Sequence, residues 1–377
     1  LCLLAIIGLY GCASTPTQSL PDPPTTLLGA CERGWVAKDW ASCNDYAYQI
    51  QKSFPKEAES YYKRACDHQV GLGCSNLAYI AENRPGSPDY KTARTYYEKA
   101  CQLREGIGCH NLANLYLNDK ALPRDEQKAV SLLQKSCEFD YGQACYRVGL
   151  ITLAGKLLPK NDEAAANFYK KACVSGDLVA CHDLGYLYLD GTGVKRDAKF
   201  AFLSFDMSCN GGLMRGCSSR GYLYQNGVGV NKNESKALAD YTKACAANEP
   251  SACTNFGYMT ELGLGKAADP KLAADYYVKA CDLKETMGCN NLGVLLANGK
   301  GVAQDDRKAL PFLQTGCADK IGGSCHYLSL FHGKGRGGLP RSKQMATLYR
   351  KQACEFGEKK ACGSKRRGVA LFSKNCF

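Results

Sequence analysis

The sequence predicts an all-α solenoid of about nine disulfide-stapled helix pairs, and three observations predict it. Nine pairs of cysteines eight residues apart recur along the chain, the first members following one another by 35 residues, six times by 36 and once by 37. Between them, apolar residues fall at helical spacing. The 23 cysteines point to an oxidising compartment, because reducing compartments rarely hold so many thiols unless they bind metal. With 377 residues, 45% apolar and 22% charged, the chain is long enough for one large folded domain or two to three ordinary ones.

The amino-terminal residues form three zones. Residues 1–10 are almost wholly apolar and run into Leu9-Tyr10-Gly11-Cys12, which resembles a bacterial lipoprotein signal with Cys12 as the acylated residue. Ten apolar residues are about half of what a bilayer span needs. More than one acyl chain on Cys12 would give stable attachment, at about 0.8 kcal/mol per buried CH₂. Ala13 rather than Asp after the cysteine resembles the pattern of outer-membrane release. The Ser/Thr/Pro-rich residues 13–30 are expected as an extended tether, with the repeat solenoid covering 31–377.

The repeat is legible residue by residue. After the second cysteine of each pair, the third, sixth and seventh positions are mostly apolar, as in Cys181-His-Asp-Leu-Gly-Tyr-Leu-Tyr and Cys289-Asn-Asn-Leu-Gly-Val-Leu-Leu. This is the first helix of a pair. Its fourth position is small throughout, from Ala78 and Ala113 through Gly149, Gly185, Gly221, Gly257 and Gly293 to Ser329. A neighbouring helix can approach closely there. A glycine-rich turn such as Asp190-Gly-Thr-Gly-Val follows and can end the helix with a left-handed residue. The second helix often begins after Asp or Asn, as at Asp269-Pro270, and carries Ala eight residues and usually an aromatic or Leu four residues before its cysteine.

Each first cysteine thus ends one helix and each second cysteine opens the next, with seven residues between them. Antiparallel helices joined so briefly bring the two together, so local pairing is expected: Cys66–Cys74, Cys101–Cys109, Cys137–Cys145, Cys173–Cys181, Cys209–Cys217, Cys245–Cys253, Cys281–Cys289, Cys317–Cys325 and Cys354–Cys362. Loop entropy assigns each roughly 2.5 kcal/mol. Cys31 and Cys43, twelve apart in the same register, add a tenth pair, and Cys376 is left over. Zinc would need four converging ligands and usually tighter pairs, whereas here successive pairs lie a repeat apart.

These elements resemble the SEL-one-like repeat family, in its cysteine-rich, Hcp-like bacterial branch. The resemblance covers Cys43 to Cys362 and rests on the Leu-Gly-Tyr-Leu-Tyr, Gly-x-Gly-Val and Lys-Ala-Cys elements. It implies a right-handed α/α superhelix related to tetratricopeptide repeats, with one disulfide per hairpin. Residues 74–101 depart from it by lacking the Gly-x-Gly-Val turn, Arg220 stands where an apolar residue is expected, and residues 325–354 are one longer. Less regular packing is expected there.

Two functions compete. The resemblance admits β-lactam binding or β-lactamase-type hydrolysis, which needs a serine activated beside a lysine together with Ser-Asp-Asn and Lys-Thr-Gly elements. Ser-x-x-Lys occurs at Ser53/Lys56 and Ser60/Lys63, as often as chance supplies, and the other two elements are missing. No catalytic residue, metal or cofactor is assigned. His110, His182 and His326 each follow a helix-opening cysteine and are expected as solvated first-turn residues. No nucleotide-binding glycine pattern stands in a strand–helix context.

Binding of a protein or peptide has the better warrant. The second, fifth and ninth positions after the cysteine share a helix face distinct from the buried one. The second is Asn76, Asn111, Asn255 and Asn291, with Arg147 and Asp183 between, and the fifth is Tyr79, Tyr186, Tyr222 and Tyr258. The resemblance places the first helix on the concave surface, implying an amide ladder beside a tyrosine ladder able to hold an extended peptide. Between 332 and 377 there are twelve Lys/Arg against Glu355 and Glu358, so this basic cap carries ten of the net +12 charges. It is expected to meet an anionic envelope component, a lipid head group, lipopolysaccharide or acidic protein rather than nucleic acid.

Overall fold

The computed structural model describes residues 23–32, 40–118 and 121–362. Cys12, Cys376 and the basic residues Lys365, Arg366, Arg367 and Lys374 lie outside them. The described residues divide into two compact units, one up to residue 148 and one from residue 149 onward. The described residues form nineteen α-helices and no strand, so the all-α expectation holds. In order they are α1 (Pro23–Glu32), α2 (Ala41–Ile50), α3 (Pro55–Asp67), α4 (Gly71–Glu82), α5 (Tyr90–Gln102), α6 (Gly106–Leu117), α7 (Glu126–Glu138), α8 (Gly142–Ala154), α9 (Asp162–Val174) and α10 (Leu178–Asp190). Then follow α11 (Ala198–Asn210), α12 (Met214–Asn226), α13 (Glu234–Ala246), α14 (Pro250–Leu262), α15 (Pro270–Asp282), α16 (Thr286–Asn298), α17 (Asp306–Ala318), α18 (Gly322–Lys334) and α19 (Lys343–Glu355). Among them no helix is long and apolar enough to cross a membrane.

Residues 23–30 were expected to be extended but belong to helix α1. Prolines 23 and 24 fall in its first turn, where a missing N–H breaks no helical bond, and Leu27 and Leu28 pack against the core around Tyr46 and Tyr62. A Pro-rich stretch is therefore compatible with a helix when apolar residues follow within a turn.

Local sequence sets the helix starts. The second helices of the pairs are capped by Asp89, Asp125, Asn161, Asp197, Asn233, Asp269, Asp305 and Ser342, each of whose side chains accepts the N–H of the residue three later. Such a cap is worth about 1 kcal/mol. Between pairs the chain reverses over one repeated turn. Three residues after the first cysteine the backbone is left-handed, at Gln69, Arg104, Asp140, Gly176, Gly212, Asn248, Lys284, Lys320 and Gly357. The next N–H then reaches back to the residue before the cysteine, as Glu105 does to Ala100 at 3.0 Å.

Small residues let the helix ends close. Gly73, Gly108, Gly216 and Gly288, each just before a second cysteine, lie on Ala65, Ala100, Ser208 and Ala280, each just before a first. The paired cysteines consequently stand 4.5 to 4.9 Å apart between Cα atoms, and all ten are joined as disulfides. That lies at the short end of the distances a disulfide tolerates.

Within a pair, the small fourth position receives an aromatic ring of the partner helix. A Cβ on Gly149, Gly185, Gly221 or Gly257 would meet Tyr169, Phe205, Tyr241 or Tyr277 at 2.5, 2.6, 2.9 and 2.7 Å. These rings are fully buried, and the tyrosine hydroxyls find acceptors: Tyr97 donates to Glu82 at 2.9 Å, Tyr241 to Gln225 at 2.9 Å and Tyr277 to Glu261 at 3.0 Å. Where the second helix has Phe205 or Leu313 instead, the corresponding position carries Leu189 or Ala297. Tyr169 departs from this pairing, since Leu153 stands at its corresponding position.

Arg220 does not loosen its repeat. Its guanidinium pairs with Asp240 through two bonds of 2.8 and 2.6 Å, and with Asp206 at 2.6 Å and Asn210 at 2.9 Å. The buried charge is compensated, which is the condition for tolerating it.

The Gly-x-Gly-Val turn has two separate needs. Gly191 ends α10 in the left-handed region at φ 76°, while Gly193 at φ 69° lies on the backbone of Asp162, where any Cβ would overlap its carbonyl. Gly212 is left-handed at φ 101° with open space around it. Gly212→Ala is therefore expected to cost only the backbone preference, about 1–2 kcal/mol. Gly193→Ala should add overpacking and lose about 3 kcal/mol or more. Urea unfolding of both variants checks the order.

Candidate functional site

In the second unit, one face of α10, α12 and α14 forms a half-open cavity of about 160 Å³. It is lined by Tyr186 and Leu189 of α10, Ser218, Ser219, Tyr222 and Leu223 of α12, Ser251 and Asn255 of α14, and Phe205 of α11. The floor is apolar, since Phe205 and Leu223 are fully buried, and the rim is a ring of hydroxyls and one carboxamide. No charged side chain lines it. This is the usual composition of a small ligand or side-chain pocket.

Around it the polar groups are linked across repeats. His182 Nδ1 lies 3.0 Å from Asp183 Oδ1, and its Nε2 lies 3.2 Å from Ser219 Oγ. The Tyr186 hydroxyl is 3.1 Å from the same Ser219 oxygen. Ser218 and Ser251 are 3.0 Å apart, and Ser251 donates to Glu249 at 3.2 Å. The imidazole packs edge-on against Tyr186, with centroids 5.0 Å apart, and lies tilted to Phe205 at 5.5 Å.

Three of the seven singled-out ligand-binding residues, Tyr186, Tyr222 and Asn255, line this cavity. Tyr258 stands one turn beyond Asn255 on α14 with 44% of its surface exposed, beside 40% for Tyr222. Tyr79, in the other unit, is 59% exposed. The remaining amides are turned to internal partners. Asn76 donates to Asn44 at 2.8 Å, while Asn111 and Asn291 hydrogen-bond to the buried hydroxyls of Tyr97 and Tyr277. Arg147 bonds Asn114. Ionisation of the buried tyrosines is opposed chiefly by desolvation, which raises the hydroxyls of Tyr62 and Tyr169 to about 12 and those of Tyr97, Tyr241 and Tyr277 higher still.

Other expectations are corrected. His110 and His182 are buried rather than solvated. The cysteine beside each draws its helix start beneath the next turn, so the ring of His110 meets Tyr141 at 5.1 Å. Ser60 donates to Glu57 O at 2.7 Å, and Lys63 is paired with Asp67 at 2.8 Å, so this Ser-x-x-Lys forms no nucleophile–base pair. In the basic cap, Arg336 bonds Asp306 and Ala297 O and covers the Phe331 ring, whereas Lys334, Arg341, Lys343, Arg350, Lys351, Lys359 and Lys360 are exposed. Sequence reasoning missed Ser219. Its one signal was that it interrupts the asparagine series at the second position after Cys217.

The model of the Sel1 repeat matches nine successive segments, 42–70, 71–104, 106–138, 142–177, 178–212, 216–249, 250–285, 286–318 and 323–355. The chain belongs to the Sel1 repeat family. No curated protein matches it. Among solved structures, it is similar to a protective antigen of uropathogenic Escherichia coli strains that displays an SLR fold. That match has 20% identity, covers 88% of this chain and 79% of the other, and has a TM-score of 0.68. A Sel1 repeat protein from Oxalobacter formigenes is 19% identical over 94% of this chain and 96% of its own, with a TM-score of 0.58. Cysteine rich protein B of Helicobacter pylori is 35% identical over 34% of this chain and 93% of its own, with a TM-score of 0.29. The first two share the fold. Sel1-repeat proteins are generally protein-interaction scaffolds and generally bind proteins.

His110 supplies a test of this packing. Burial lowers its pKa from 6.5 to about 4, with the Arg147 charge acting in the same direction. The unfolded chain therefore binds the extra proton more readily, and the stability that neutral His110 contributes is complete above pH about 6.5 and lost as pH falls towards 4. Urea unfolding at pH 7 and 4.5 should show a drop of the order of 2 kcal/mol from this group. The drop should shrink in His110→Gln.

Proposed function

We propose that this chain is a scaffold of the bacterial cell envelope, anchored in the outer membrane by lipid on Cys12, that binds an extended protein or peptide segment along the face made by α10, α12 and α14. The observation that supports this reading is the cavity in which Tyr186, Tyr222 and Asn255 meet. Its apolar floor suits one side chain, while the serine hydroxyls and the Asn255 amide suit the peptide groups on either side of it. Exposed Tyr222 and Tyr258 then offer rigid contact area one repeat apart. The exposed lysines and arginines of 334–360 support a second contact, with an anionic envelope component.

Photo-crosslinkers placed at Tyr222 and Tyr258 in the intact envelope are expected to capture one common partner, and a crosslinker at exposed Val278 of α15 should not capture it. Tyr222→Ala with Asn255→Ala should weaken binding of that purified partner by about tenfold or more per anchor lost. Equal capture at all three positions would overturn the binding face. Cys12→Ser should move the chain from the membrane to the soluble fraction.

A further inference from the structure

With a neutral imidazole, the hydrogen-bond chain at the cavity has only one consistent direction. The ionised carboxylate of Asp183 accepts and cannot donate, so the proton of neutral His182 sits on Nδ1, 3.0 Å away. Nε2 is then the lone-pair nitrogen, and the Ser219 hydroxyl donates to it across 3.2 Å. With its own hydrogen committed, Ser219 Oγ accepts from Tyr186, whose hydroxyl is 3.1 Å away. A serine, a base holding its proton and a carboxylate orienting the base is the arrangement that activates an oxygen nucleophile.

Its surroundings fit that role. Ser219 lines the cavity, while His182 is buried between helices and held against Phe205 and Tyr186. Disulfides fasten both helix starts, at Cys181 one residue before His182 and at Cys217 two residues before Ser219. The side chains are thus carried on rigid elements. A cavity of about 150 Å³ holds a molecule the size of benzene. The lining carries no charge, so an uncharged acyl group of a few carbons fits.

We infer that Ser219 is the nucleophile of a second activity, acyl transfer from small uncharged carboxylic esters. His182 is the base and Asp183 a positioning residue. Ser219 Oγ forms a bond to the acyl carbon and passes its proton to His182 Nε2. The carbonyl π electrons move to oxygen, and that oxyanion takes over the Tyr186 hydrogen bond previously given to Ser219. Collapse of the adduct breaks the ester C–O bond, and the departing alkoxide leaves as an alcohol with the proton held by His182. Water deprotonated by the same nitrogen then attacks the acyl-serine, releasing the carboxylic acid and restoring the Ser219 hydroxyl.

The test uses the oxidised full chain and a tagged alkyl fluorophosphonate, which leaves a phosphonyl group on an activated serine with loss of fluoride. One adduct per chain, mapped to Ser219 by peptide mass, is expected. It should vanish in Ser219→Ala and form about 100-fold or more slowly in His182→Gln, in line with the contribution of a positioned base. Circular dichroism identifies a variant that fails to fold. In that case Asp183→Asn, whose side chain is partly exposed, should give the same slowing. Absence of the adduct in the folded wild type, or equal labelling rates in wild type and the folded His182 or Asp183 variant, would overturn the inference. Partner capture is a separate readout, so the fate of the scaffold reading does not decide this one.

Discussion

The architecture depends on the close crossing of helix ends at each cystine. A Cα separation of 4.5 to 4.9 Å is reached only because the residues beside the cysteines are Gly, Ala or Ser. The crossing also requires the left-handed residue three positions on, which turns the chain back within one helical turn. Disulfide, small neighbour and left-handed turn therefore form one unit, repeated nine times. In the unfolded chain each covalent bridge closes only a short loop, so its entropic effect is modest beside the packing it permits. Stacking within each unit comes from buried tyrosine, phenylalanine, leucine and alanine.

That core carries polar chemistry. Buried tyrosines need acceptors, and they draw in Gln51, Glu82, Gln225 and Glu261 from the end of the partnering first helix. They also engage Asn111 and Asn291 from the following helix. A series of asparagines that looks like a ligand-facing ladder thus serves partly as internal satisfaction of buried hydroxyls. The cavity lies where this pattern lapses. At Phe205 no hydroxyl has to be met, and Ser219 replaces asparagine, leaving room beside it.

Much of this was legible beforehand. Helical period, capping residues and the recurring small position identify the hairpins, because they answer to interactions within about ten residues of sequence. The tyrosine positions 186, 222 and 258 were readable as one register of the repeat, and of these Tyr186 and Tyr222 line the cavity. What failed were inferences about burial. His110 and His182 look like exposed first-turn residues on an isolated helix, but neighbouring repeats cover them. Residues 23–30 look like a tether by composition, yet Leu27 and Leu28 have a core to join. Arg220 looks like a packing defect until Asp206 and Asp240 are placed beside it.

By itself, then, the sequence determined an all-α repeat, since period, caps and turn residues are local and act the same way in every copy. Only the tertiary structure decided which polar groups meet. His182 and Ser219 are 37 positions apart and touch because successive helices stack one repeat from the next. Gly193 is required not by its own turn alone but by the backbone of Asp162 beneath it. Such contacts join residues whose identities carry no shared local signal, and stacking alone brings them within reach.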